Sequence, residues 1–171
     1  MIPTRHVVLA ALVVWLAAVL QGRAAHALSI HGAQPDLPLV ALSCGAFLVG
    51  SEGGALLGFW TGLLAASAFP ATYGSLFLSR IAAGVFAGFF GRSLIRDNWI
   101  VPPVVALATT LLAELIHVLM VPGLAIPHVR LWAGLLGGEL LYNAALALPV
   151  SLLLRLLQVG RQAPDPFGRL A

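Results

Sequence analysis

The sequence predicts an all-α membrane protein, a bundle of about six transmembrane helices with both termini cytoplasmic. Three observations carry that expectation. Of 171 residues, 60% are hydrophobic and only 9% are charged, against roughly 25% charged in a soluble domain. Mean hydropathy is +1.00, so too little polar surface exists to coat a water-facing globule, and hydrocarbon is the solvent the chain suits. Apolar runs of helical length recur between short Gly-, Pro- or Arg-containing breaks. At about 20 residues per span the length accommodates five to seven of them, in a single domain.

The first helix is expected over residues 5–22, with Arg5 ahead of its apolar run. Ala25-His26-Ala27 beyond it also fits a signal-peptide cleavage site. The remainder of the chain offers no soluble domain to export, which favours an uncleaved helix. Residues 23–36 hold Arg23, His26, His31 and the Gln34-Pro35-Asp36 corner, and read as an exposed loop. The second helix is expected over residues 37–49, with Pro38 suited to its first turn. Gly50-Ser51-Glu52-Gly53 reads as a tight turn, and the third helix as residues 54–69, stopped by Pro70. The fourth covers residues 75–91 and leads into the polar loop 92–98. The fifth covers residues 100–121, with Pro102 and Pro103 at its start and Pro122-Gly123 at its end. The sixth covers residues 131–157 and is interrupted by Pro149, where a kink is expected. Residues 1–159 thus form one transmembrane domain, and residues 160–171, with Pro164 and Pro166, a disordered cytoplasmic tail.

Orientation comes from arginine, since the nine basic residues include no Lys. Six spans put Arg5, Arg92, Arg96, Arg155, Arg161 and Arg169 on one side and Arg23, Arg80 and Arg130 on the other. The richer side is expected in the cytoplasm. The net charge of +3 is scattered, with no basic run to suggest nucleic acid. The lone Cys44 lies in an apolar segment and reads as a small buried hydrophobe.

Two patterns are candidates for function. Gly50, Gly54, Gly58 and Gly62 recur every fourth residue, continued by Ala66, and Gly84 with Gly88 and Gly134 with Gly138 repeat the spacing. Lipid tails provide no hydrophobic drive between helices, so small residues that let backbones approach hold such bundles together. Internal packing is the plainer reading; docking of a partner helix is the sharper one. The second pattern is a set of ionisable groups inside the spans: Arg80, Glu114, His117 and Glu139, with Asn143 one turn after Glu139. Such groups are costly in hydrocarbon and face the bundle interior or water. Helical rise places all four in the outer half, where Arg80 is expected to pair with Glu114 or Glu139. A structural clamp is favoured over a small-molecule pocket or an ion path. No H-E-x-x-H or G-x-S-x-G motif is present, so neither catalysis, a metal nor a cofactor is expected.

The order and spacing of several elements resemble MreD, the small membrane subunit of the bacterial rod-shape machinery, over residues 7–157. These elements are Pro35-Asp36-Leu37 opening the second span and the run from Gly54 through Gly58-Phe59-Trp60-Thr61-Gly62. Tyr73-Gly74 before the fourth helix, the segment from Gly84 to Arg92, Glu114, and Asn143 with Pro149 complete the set. The chain resembles a divergent member, since Ala65-Ala66-Ser67 stands where the family carries an Asp. The resemblance implies a non-enzymatic subunit supporting cell shape and lateral peptidoglycan synthesis. It would dock to MreC and, through it, to MreB, RodA and a class B penicillin-binding protein. It also implies a fold similar to the substrate-binding S-components of energy-coupling-factor transporters. A vitamin- or solute-binding subunit of that kind is the alternative reading.

Overall fold

The computed structural model describes residues 4–25, 27–29, 32–68, 72–93, 98–121 and 126–157. The expected tail, the segments at Pro70 and Pro122, and Arg96, Arg161 and Arg169 of the orientation count lie outside them. The elements are helical throughout: α1 (Thr4–Leu20), which runs into a π-helical turn (Gln21–Ala25), α2 (Leu37–Ala68), α3 (Tyr73–Ser93), α4 (Val101–Met120) and α5 (Ile126–Leu156). Among the described residues, five helical segments are long and apolar enough to cross a membrane. The chain is an all-α, multi-span membrane protein.

The expected second and third helices are both inside α2, which is broken at Gly50 (φ 84°, ψ 178°). A Cβ on Gly54 would lie 3.1 Å from that of Ala46, and one on Gly45 would lie 3.2 Å from Leu57 Cδ1. Eight and twelve residues of unbroken helix would separate these pairs by about 12 and 18 Å. The chain therefore folds back at Gly50, and its two arms, residues 37–49 and 51–68, pack on one another. The reversal needs a single residue because glycine takes positive φ without a Cβ clash. Helix resumes at Ser51, so the expected four-residue turn contracts to Gly50 alone.

The short arm is the core. At about 20 Å it falls well short of the roughly 30 Å hydrocarbon thickness, and residues 38–50 are all buried. An apolar helix without a polar face suits burial on all sides, and α2 touches each of the other four helices. On α1, Ala10 and Val14 are buried while Leu12, Trp15, Leu16 and Val19 stand exposed. Ala10 meets the short arm at Gly45.

The second arm lies antiparallel against α3 along its glycines. A Cβ at Gly54 would strike the backbone of Gly84, one at Gly58 the backbone of Arg80 and Ile81, and one at Gly62 the Phe77 carbonyl, 2.9 Å away. A Cβ at Gly88 would lie 2.5 Å from the Gly50 carbonyl oxygen. The four-residue glycine row of α2 is thus consumed by internal packing, the plainer of its two readings.

Pro102 sits in the first turn of α4, where its missing N–H costs nothing. The Asn98 side chain accepts from the Ile100 N–H at 3.0 Å just ahead of it. α5 begins at Ile126, five residues before the expected start at 131, and remains helical through Pro149.

Candidate functional site

The half of the bundle away from Gly50 gathers polar side chains from every helix, and Asp36 organises them. Asp36 Oδ1 accepts from the Leu39 N–H at 2.9 Å, an N-cap that satisfies one open donor of α2. Its Oδ2 accepts from Arg80 Nη2 at 2.5 Å. Its backbone N–H donates to Asn143 Oδ1 at 2.9 Å. Gln21 grips both flanks, with Nε2 donating to the Pro35 carbonyl at 2.9 Å and Oε1 accepting from the Leu37 N–H at 2.8 Å. One corner therefore ties α1, α2, α3 and α5 together.

Asn143 is fully buried. Its Nδ2 donates to Thr110 Oγ1 of α4 at 3.1 Å. Glu114 Oε2 accepts from Trp132 Nε1 at 3.2 Å. His117 Nδ1 and Ser75 Oγ, 2.9 Å apart, link α4 to the start of α3.

The sequence reading is corrected at Arg80. Its partner is Asp36, not Glu114 or Glu139. Asp36 belongs to a stretch that reads as an exposed loop, but the fold-back of α2 carries the start of the short arm alongside α3. Arg80 is 5% exposed, and its Nε and Nη1 have no hydrogen-bond partner among the described residues. Gln21, Ser75, Thr110 and Trp132 escaped the sequence reading as members of the cluster. All four are polar or aromatic residues within or at the end of apolar runs, the one signal that could have found them. The expected cluster members Glu114, His117, Glu139 and Asn143 do converge here, in the half where helical rise placed them.

Around Glu139 the balance of charge is negative. Glu114 and Asp36 repel its carboxylate and Arg80 attracts it, while Arg80 is already bonded to Asp36. No group of three His, Cys, Asp or Glu side chains fit to hold a metal occurs among the described residues.

The remaining glycines are placed differently. A Cβ at Gly134 would meet nothing within 4 Å, and one at Gly138 would meet only the Ala33 Cβ, at 2.5 Å, among the described residues. With Leu141, Tyr142 and Ala145 they line an open groove of about 410 Å³ along α5. Of the motif residues, Gly74 stands in open space in the first turn of α3. Pro149 lines a cavity of about 270 Å³ with Trp99 and Arg155 at the other end of the bundle. Pro35 lends its carbonyl to Gln21.

No family model, no curated protein and no solved structure matches the chain.

Proposed function

We propose that the protein is a non-enzymatic subunit of a membrane assembly, and that it works by receiving a partner's transmembrane helix on α5. The observation that carries this reading is the groove over Gly134, Gly138, Leu141 and Ala145. It has the small-residue spacing that lets helices approach closely, and none of the described helices of this chain fills it. The cluster around Asp36 supports the same reading from within. It fixes α5 to α1, α2, α3 and α4 through Asn143 and Trp132, so the groove is presented on a rigid frame.

The motif order favours one assembly, the rod-shape elongation complex in the bacterial inner membrane. The partner at the groove is then MreC, which brings MreB, RodA and a class B penicillin-binding protein to lateral peptidoglycan synthesis. The test is a pull-down of the tagged protein from native membranes with partners identified by mass spectrometry. Recovery of MreC with the wall-synthesis proteins, lost on Gly134→Leu, is the expected result. Recovery of a transporter coupling subunit with paired ATPases would replace this reading with a solute-binding one, and recovery of no partner would refute it.

A further inference from the structure

Beside Glu139 lies a further cavity, of about 240 Å³, between α5 and the segment of residues 32–34. A water molecule's share of liquid volume is about 30 Å³, so the space holds a small organic molecule. Gln34 borders it from the loop, and Trp132, Leu135, Leu136 and Glu139 from α5. Among the described residues, Glu139 is the one charged group in this lining.

Three features decide what chemistry fits. The carboxylate is under-compensated: the cluster behind it holds Asp36 and Glu114 against the single guanidinium of Arg80, which is committed to Asp36. In a low-dielectric setting a carboxyl flanked by two acids and one committed base gains its charge most readily with a cation beside it. The indole of Trp132 is anchored through Nε1 to Glu114 and forms a wall of the same cavity, and aromatic rings attract cations that shed water. Leu135 and Leu136 complete an apolar lining that suits alkyl groups rather than a hydrated ion. A bare metal ion would need several ligands at once, and no such set is present among the described residues.

We propose that this cavity binds a small organic ammonium ion, with Glu139 as its counter-charge and Trp132 as its aromatic wall. The site does not depend on the docking reading and stands or falls separately from it.

The test uses the full chain, purified in lipid nanodiscs and titrated with tert-butylammonium chloride at constant ionic strength. Binding is followed by tryptophan fluorescence and by thermal unfolding. Saturable binding is expected, with no response to tert-butyl alcohol or to added sodium chloride. Glu139→Gln should weaken it about tenfold or more. Leu135→Trp, which fills the cavity and leaves the carboxylate in place, should abolish it and keeps the test informative if Glu139→Gln fails to fold. Absence of saturable binding, equal response to the neutral alcohol or to sodium chloride, or unchanged affinity in a folded variant would overturn the proposal.

Discussion

Gly54 and Gly134 each belong to a row of glycines spaced four residues apart on an apolar helix. A Cβ at Gly54 would run into the Gly84 backbone, whereas one at Gly134 would meet nothing within 4 Å. The difference lies in what the neighbouring helix offers. α3 presents its own small residues, Gly84 and Gly88, in register with Gly54 and Gly50, so the two backbones close on each other. Among the described residues, the row on α5 meets only Ala33, at a single point. Spacing along one helix marks where close approach is allowed. A second helix with matching gaps decides whether it happens. The same residues thus build the fold on α2 and leave a surface on α5.

Substitutions separate the two roles, and the largest effect is expected in the α2–α3 seam. Gly54→Leu places a side chain where the Gly84 backbone stands. Overpacking typically costs about 1–3 kcal/mol where side chains can shift, and backbone cannot shift in this way. Loss of nearly all folded, monodisperse protein is expected in size-exclusion chromatography of detergent extracts. Normal yield would mean that the seam does not form.

Next in size is Arg80→Ala. Removing one partner of a buried ion pair costs about 3–5 kcal/mol, and Asp36 would keep its charge with one neighbour fewer. A marked drop in membrane yield and in unfolding temperature is expected, partly recovered when Asp36→Asn is added. Additive losses in the double variant would show that the two residues do not interact.

A smaller loss is expected for Asn143→Leu. It leaves the Asp36 N–H and the Thr110 hydroxyl without their partner, each at about 1–3 kcal/mol before rearrangement. Thermal unfolding in detergent measures it, and unchanged stability would remove Asn143 from the frame that holds α5. The smallest effect belongs to Gly134→Leu, within about 0.5 kcal/mol of the parent as for other surface changes. The same variant should lose its partner in the pull-down, so a folded protein that still recovers the partner would end the docking role of that face.

Much of the fold was legible in the sequence. The apolar runs, the proline-started α4 and the chain reversal at Gly50 come from local chemistry, because each depends on residues within one or two turns. The pairing of Arg80 was not legible. Asp36 lies 44 residues away, in a stretch whose Gln, Pro and Asp read as solvent-facing, and its approach depends on the fold-back of α2 and the rotation of α3. The fate of the glycine rows was half legible. Gly54 and Gly134 look alike as sequence, since a small-residue face states its own shape but not that of its neighbour. The boundaries of α5 shifted for a related reason: Pro127 is tolerated in a first helical turn, so the helix starts before the apolar run does.

If α5 carries the partner-facing surface, site-specific photocrosslinking in native membranes shows it most directly. A photoreactive residue is placed at Leu141, in the α5 groove and 71% exposed, or at Leu56 on the second arm of α2, 57% exposed. A discrete adduct with another protein is expected from Leu141 and none from Leu56. Equal labelling at both positions, or no protein adduct at Leu141, would contradict the claim.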